Sequence, residues 1–381
     1  MALLSATAPF ATDMYLPVLP DIAVEFGVPR ATVQLTLSGF FVGMGVGQLV
    51  IGPLSDALGR KRLLILGAVV AVVASIVAAV APTVGVLIVG RIFQGLGGGA
   101  CAVLARAIVP DLVEGKAAAK AFSLLMAIGA LAPAIAPVMG GLLAEPLGWR
   151  GIYWVLVALH TVQLVLAWLL VPSAGGTGAA DGLLRTMGRN YLAVLHSGRF
   201  WGFLAAMALS FAAMFCYISA SPFVIQTVFG FSPTVYSLIF AVNSLGLFGG
   251  SVLNSRLVSS HGPARLLRFG LGGQCTGTVL LLVAALLDAP AAVVLPLLFV
   301  ATVPVGFCMG NATALATGLL REYAGSVSAV MGFVQSLLGA LVSPIMGLGS
   351  DAVLTMALGM AVCSGLGAVG AFAATRPERS S

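Results

Sequence analysis

The sequence predicts an all-α membrane protein with twelve transmembrane helices in two six-helix halves. Three observations carry that prediction. The chain is 60% hydrophobic and only 8% charged, far less charge than a soluble protein of 381 residues needs to stay in water. Its apolar residues form runs near the ~20-residue length that spans a bilayer. The basic residues fall in alternate gaps between those runs, the pattern left by loops that face the cytoplasm.

The runs lie, in order, at about 3–24, 32–54, 63–80, 83–109, 119–144, 150–171, 201–225, 233–255, 265–287, 291–318, 325–348 and 350–374. Several gaps are too short to hold a soluble domain. Fifteen of the 18 Lys and Arg residues lie in one set of gaps or in the run ends that border them: Arg60, Lys61, Arg62, Arg106, Lys116, Lys120, Arg185, Arg189, Arg199, Arg256, Arg265, Arg268, Arg321, Arg376 and Arg379. Arg30 and Arg150 fall in the other set, and Arg91 lies inside an apolar run. An even number of spans puts both termini on one side, and the basic tail places that side in the cytoplasm. The net charge of +6 is thereby an orientation signal, and no nucleic-acid partner is needed to explain it. The first run is not a cleavable signal peptide, because it lacks a basic lead and carries Asp13, Tyr15 and Pro17. It starts almost at Met1, so a short cytoplasmic lead is expected to precede it.

The longest loop divides the spans into an N-terminal half (1–171) and a C-terminal half (201–381), joined by a linker (172–200). Residues 173–180 are small and flexible by composition. Residues 183–200 mix Leu, Met and Tyr with Arg185, Arg189 and Arg199, and are expected to lie on the cytoplasmic membrane surface as an amphipathic helix. The halves share an echo. Gly59, Arg62 and Leu-Leu follow the second span, and Gly262, Arg265 and Leu-Leu follow the eighth, roughly two hundred residues later. Such internal repeats build many secondary transporters.

Asp13 is the only acidic residue well inside any run, and Arg91 the only basic one. A buried Arg costs about 2.5–3.5 kcal/mol on insertion scales, so it needs a partner or a wet cavity. Asp13 lies about ten residues from the outer end of the first span and Arg91 about eight from that of the fourth, or ~15 and ~12 Å at the helical rise. Asp13 is therefore the expected partner of Arg91. A carboxylate beside Arg holds its proton weakly, and separating the two tightens the grip. The pair is a proton switch in that reading, or a fixed ion pair that specifies packing.

The tight loop Gly52-Pro-Leu-Ser-Asp56-Ala-Leu-Gly59-Arg60-Lys61-Arg62 closes the second span. Gly52 admits a close neighbouring helix and Gly59 permits the reversal. Asp56 can face a helix N-terminus or pair with Arg60, contacts that form in one conformation and break in another; alternatively the loop only sets topology. In the fifth span Pro133 and Pro137 each delete a backbone donor and bend the helix, while Gly140 and Gly141 allow near contact with a neighbour. The bend is a pivot, a seal or a static kink. Tyr15, Gln34, Gln94, Tyr217, Asn243, Asn311 and Gln335 are scattered polar residues within spans. With Met126, Phe215 and Phe223 they outline a cavity for a neutral or amphiphilic ligand, although each polar one is equally suited to bonding helix to helix. His160 is expected to be a hydrogen-bonded structural residue. Cys101, Cys216, Cys275, Cys308 and Cys363 fit small apolar packing. Gly97-Gly98-Gly99 lacks the Lys-Ser/Thr of a phosphate loop, and neither a Gly-x-Ser-x-Gly elbow nor a His-Glu-x-x-His pair occurs. An enzyme, a metal centre and nucleotide-driven chemistry are therefore not expected.

The loop at 52–61 resembles the signature Gly-x-Leu-x-Asp-x-x-Gly-Arg-Lys of the major facilitator superfamily, and the match is full. Arg91-x-x-Gln94-Gly95-x-Gly97 resembles a second motif of that superfamily, whose Arg is implicated in proton transfer. Asp13-Met-Tyr15-Leu-Pro17-Val-Leu-Pro20, the 132–141 segment and Ser219-Ala-Ser221-Pro222-Phe223 resemble the drug:proton antiporters of the bicyclomycin and chloramphenicol resistance branch. The broader antiporter motif has Gly where this chain has Ala132 and Ala136. The resemblance implies a monomeric major facilitator fold in the bacterial cytoplasmic membrane. It implies export of a small, partly apolar compound in exchange for protons, driven by a proton gradient with no cofactor. A proton-coupled exporter or importer of an endogenous metabolite is the nearest rival, and a non-transporting membrane sensor a more distant one.

Overall fold

No water is available in a bilayer to satisfy exposed peptide groups, so apolar runs of this length cross it as helices. The computed structural model of the chain, which describes residues 2–112, 115–172 and 183–374, is helical in this way and has no strand among those residues. Ten of its helical segments are long and apolar enough to cross a membrane. One of them, Leu131–Leu170, contains two spans, since Gly148 breaks the helix with φ 61° and ψ −178°. The first span is not among the ten because it is broken into short pieces, and with it the spans among the described residues number twelve.

The first span runs through Thr7–Asp13, a 3₁₀ turn Leu16–Val18 and a helix Leu19–Phe26. It differs from the continuous helix expected over 3–24. Pro17 has no N–H for the carbonyl of Asp13, and Pro20 none for that of Leu16, so the helical ladder fails here. The second to fourth spans are Arg30–Leu58, Arg60–Ala79 and Val84–Leu112. The fifth and sixth share Gly115–Leu170. The seventh, Gly198–Pro222, ends in a widened π turn, Phe223–Val228. The eighth and ninth are Pro233–His261 and Pro263–Leu286. The tenth breaks at Pro304 into Ala291–Thr302 and Val305–Leu319, again where a proline removes a donor. Ala324–Ile345 and Ala352–Ala374 complete the set.

The amphipathic helix expected in the linker is Leu183–Leu195; its Tyr191 hydroxyl donates to the carbonyl of Leu49 at 2.9 Å. The 173–180 stretch and the Arg376–Arg379 tail lie outside the described residues.

Turns at Gly27, Gly148 and Gly230 share one face, and those at Gly59 and Gly262 the other. Gly59 (φ 95°, ψ 128°) and Gly262 (φ 75°, ψ 152°) adopt the same backbone shape at the two echoing positions. Only glycine enters that region without strain. The second span packs on the fourth and the third on the fourth and fifth–sixth; the seventh and ninth pack on the twelfth. Contacts between the first six spans and the last six run mainly from second to eleventh and from the fifth–sixth helix to the eighth.

The Gly27 face is tied by one charged cluster at the outer end of the first span, past the apolar run 3–24. Glu25 accepts from Trp149 Nε1 at 2.6 Å and pairs with Arg150. Arg150 also donates to the Ala81 carbonyl at 3.1 Å and lies 4.1 Å over the Trp149 ring. Hydrogen bonds from Arg150 and Trp149 hold the Glu25 carboxyl below its ordinary range. Stability from such a group is fully present above the unfolded glutamate value of about 4.3, and is lost as pH falls through the lower folded value. Thermal unfolding of purified wild type and Glu25→Gln should therefore differ at neutral pH, with wild type higher, and converge in acid; a difference that persists unchanged in acid rules the tie out.

Candidate functional site

The break in the first span decides where Asp13 points. Asp13 ends the Thr7–Asp13 helix and is only 7% exposed. Its side chain lines a cavity of about 220 Å³ between the first six and the last six spans. Arg91 is fully buried behind the first span. It donates through Nη1 to the Ala11 carbonyl at 2.7 Å and to Gln94 Oε1 at 2.6 Å, and through Nε to the Thr36 carbonyl at 3.3 Å. Its guanidinium carbon sits 4.3 Å from the centre of the Tyr15 ring and 4.5 Å from that of Phe40. Hydrogen bonds from a charged donor contribute about 1.5–3 kcal/mol each, so two of them offset the insertion cost of the Arg.

The direct Asp13–Arg91 ion pair expected from depth is absent here. The two described residues share no salt bridge; Arg91 instead holds the carbonyl two residues before Asp13, and its Nη2 has no partner. The depths do match, but main-chain carbonyls exposed to the guanidinium take the place of the carboxylate.

Four expected cavity residues, Phe215, Tyr217, Asn243 and Gln335, do line the cavity. Five others do not, and each has a reason. Tyr15 is fully buried, with its hydroxyl 3.0 Å from Thr36 Oγ1 and its ring beneath Arg91. Gln94 holds Arg91. Gln34 donates to the Ser219 carbonyl at 2.8 Å. Asn311 bonds Asn254 Oδ1 at 2.6 Å and the Phe307 carbonyl at 2.8 Å. Phe223 is buried in the main apolar core. Met126 and Asp56 lie outside the residues whose side chains are described. His160 is a buried, hydrogen-bonded residue 2.9 Å from Ser75 Oγ.

Sequence reasoning found Phe215 and Tyr217 but missed the rest of the aromatic wall, Phe41, Phe211 and Phe240. Phe41 and Phe215 meet edge to face at 4.5 Å, and Phe211 stacks on Phe215 at 5.7 Å. Phe240 stacks on Tyr217 at 5.7 Å. Nothing in an apolar run distinguishes a phenylalanine that faces a cavity from one that faces lipid. Asn243 is fixed from both ends, donating to the Ile239 carbonyl and accepting from Thr302. Tyr217 is 3% exposed and its hydroxyl has no partner among the described residues; it joins Asp13, Asn243 and Gln335 as a polar group on a wall that is mostly apolar and aromatic.

On its Gly27 side the cavity is sealed by hydrogen bonds between the two sets of six spans. Two of the acceptors are carbonyls that a proline has released. Pro137 cannot donate to the Pro133 carbonyl, which accepts from Ser244 of the eighth span at 3.2 Å. Pro344 cannot donate to the Ala340 carbonyl, which accepts from Ser38 of the second span at 2.7 Å. Beside Ser38, Gln34 and Ser343 close a triangle with Ser219: Ser219 Oγ lies 2.8 Å from Ser343 Oγ, which donates to the Gln34 carbonyl at 3.1 Å. Gln226 donates to the Pro17 carbonyl and Arg30 to that of Gly349. Of the expected hinge glycines, Gly141 stands in this seam, and Gly140 packs against the first span within its own set of six. A Cβ at Gly140 would strike the Met14 carbonyl, next to Asp13, and one at Gly141 the Ser237 hydroxyl of the eighth span.

At the Gly59 loop, Gly52 does not mark the close approach expected there, since a Cβ would sit at an ordinary 3.7 Å from Val103. The tight crossing of the second and fourth spans lies deeper, where a Cβ at Gly43 would strike the Ile92 carbonyl and one at Gly95 that of Phe40. Arg60 donates to the Ala107 carbonyl of the fourth span, and Lys61 is half-buried at the start of the third.

The sequence profile of the Major Facilitator Superfamily matches residues 1–344. The MFS-type transporter YdgK of Bacillus subtilis is 32% identical, over 99% of this chain and 94% of the relative. A bicyclomycin resistance protein homolog of Haemophilus influenzae is 30% identical, over 91% and 87%. Among solved structures, a bacterial homolog of the human lysosomal transporter Spinster, inward-facing and unoccupied, superposes with a TM-score of 0.76 at 16% identity, covering 98% of this chain and 94% of that one; at such identity the likeness is one of fold. A twelve-span helical bundle, a cavity between its two sets of six spans and a family match along nine-tenths of the sequence make this chain a member of the major facilitator superfamily, a multi-pass membrane transporter of small molecules and not an enzyme.

Proposed function

We propose that this transporter exports small, partly apolar compounds in exchange for protons, by alternating access between two six-helix halves of a monomer. One observation carries the reading: among the described residues Asp13 is the only acidic side chain on the cavity wall, and Arg91, held two residues away, has no partner there for its Nη2. In the sealed state the carboxyl faces the cavity apart from Arg91, the arrangement in which it keeps a proton. When cargo enters from the Gly59 side and the first span shifts, Nη2 takes the carboxylate, and the proton leaves to that same side before the Gly27 seal opens. The proton is regained from the Gly27 side after the cargo has left. The wall of Phe41, Phe211, Phe215 and Phe240, with Tyr217, Asn243 and Gln335 as hydrogen-bonding groups, suits a compound with an aromatic or apolar body and a few polar substituents.

The alternate placement of basic residues supports a cytoplasmic Gly59 face and cytoplasmic termini. The Gly27 seal then closes the outer side. The name of the Haemophilus influenzae relative, a bicyclomycin resistance protein homolog, supports antibiotics as cargo.

Expression in a pump-deficient bacterial host, challenged with a panel that includes bicyclomycin and chloramphenicol, should raise resistance to at least one compound. Everted vesicles should accumulate that compound when their lumen is acid and lose it with an uncoupler. Asp13→Asn should reduce gradient-driven accumulation to background and leave downhill exchange. Active accumulation at the wild-type level in that variant refutes the proton role of Asp13.

The seal makes a second prediction. Ser38→Ala removes the donor to the Ala340 carbonyl, and Pro344→Ala returns a helical N–H to the same carbonyl. Spin labels at the exposed positions Val24 and Leu348 should show a longer-distance population in both variants than in wild type. Unchanged distances in both show that this bond does not hold the face closed.

A further inference from the structure

Four buried side chains of the first six spans form a continuous hydrogen-bonded chain that ends on Arg91 but takes no part in the cavity or the seal. Arg91 Nη1 donates to Gln94 Oε1 at 2.6 Å. Gln94 Nε2 donates to Ser75 Oγ at 2.8 Å. Ser75 Oγ lies 2.6 Å from the Ala71 carbonyl and 2.9 Å from His160 Nδ1. All four residues are at most 1% exposed, and they link the fourth, third and sixth spans.

The protons in this chain can be counted. A hydroxyl offers one hydrogen and two lone pairs. One lone pair of Ser75 accepts from Gln94. The hydrogen belongs to the Ala71 carbonyl, which can only accept. His160 must then donate from Nδ1 to the second lone pair, which leaves Nε2 bare, and Nε2 indeed has no partner among the described residues. A charged imidazole would put an unpaired N–H there and a second positive charge in a cluster that already holds Arg91. Neutral His160 thus fixes Ser75, Ser75 fixes the amide of Gln94, and the amide oxygen faces the guanidinium. A reversed amide would set NH₂ against Nη1.

We propose that Ser75 and His160 are positioning residues for Arg91: by fixing Gln94 they hold the guanidinium on Gln94 and off the Asp13 carboxyl while the Gly27 face is sealed. The inference rests on the proton-coupling role of Asp13 given above. The groups that share the electrostatic surroundings of Asp13 are Arg91 of the fourth span, Tyr217 of the seventh, Tyr236 of the eighth and Tyr15 of its own element, and Arg91 is the cation among them. With the chain broken, Nη1 loses an acceptor and Nη2 already has none. The carboxylate just past Ala11 becomes the nearest substitute, and Asp13 surrenders its proton at lower pH.

The test uses purified full-length protein in lipid and the proton itself as ligand. Infrared difference spectra across a pH series follow the protonated-carboxyl stretch that disappears in Asp13→Asn. Ser75→Ala and His160→Gln should each lower the midpoint of that band by about one pH unit, the worth of one charge-assisted hydrogen bond, and Gln94→Leu by at least as much. His160→Asn, whose amide N–H replaces that of Nδ1, should keep the wild-type midpoint. Wild-type midpoints in both Ser75→Ala and His160→Gln, an upward shift, or equal shifts in His160→Asn and His160→Gln would overturn the positioning role while the Asp13 band stands. A wild-type protein with no titrating band lost in Asp13→Asn would instead overturn the proton-coupling role itself.

Discussion

Arg91 carries a positive charge into the fully buried side of the fourth span, and the first six spans are arranged around satisfying it. Its acceptors are the carbonyls of Ala11 and Thr36 and the amide oxygen of Gln94, and its flat faces meet the rings of Tyr15 and Phe40. These contacts draw the first and second spans onto the fourth. The glycines at 43 and 95 let the backbones of the second and fourth come close enough for it. Because the guanidinium holds the last turn before the break at Pro17, it also fixes Asp13 where the helix ends and the cavity begins. The carboxyl owes its place to an arginine that it does not touch.

Proline provides the complementary constraint. A helix in a membrane normally consumes its own carbonyls, and leaves a neighbour nothing polar to hold. Pro137 and Pro344 each release one, and in each case a serine from the opposite set of spans takes it. Such bonds are individually weak, on the order of 0.6–2 kcal/mol within membranes. That weakness suits a seam that must open, and it explains why the seal is spread over Gln34, Ser38, Ser219, Gln226 and Ser343. Gly141 adds a steric element, since the eighth span fits against the fifth only where that residue has no side chain.

Much of this was legible in the sequence, and the missing part has a common cause. Hydropathy and basic residues set the number of spans, and spacing along a helix gave the depth of Asp13 and Arg91. Depth does not give direction around the helix axis. Tyr15, Gln34, Gln94 and Asn311 sit at the right level for a cavity but face neighbouring helices, while Phe41, Phe211 and Phe240 face the cavity with nothing to mark them. The expected Asp13–Arg91 contact had the right neighbourhood and the wrong acceptor, because a sequence does not display free carbonyls. The break at Pro17 and Pro20 was visible in principle. Each of the two prolines removes a rung from the helical ladder, and hydropathy alone smooths over them. The glycine turns at 59 and 262 needed only local pattern and stand where it puts them, while the linker helix ends at Leu195, short of the 183–200 expected.

The charge on Asp13 and the closure of the Gly27 face are one coupled equilibrium in this description, and the coupling can be measured without knowing the cargo. Spin labels at Val24 and Leu348, with distances recorded across a pH series in substrate-free protein, report closure directly. The expected result is a ratio of short to long distances that titrates with pH in wild type and becomes flat in Asp13→Asn. A pH-independent ratio in wild type, or an unaltered titration in the variant, would contradict the coupling of Asp13 to the seal.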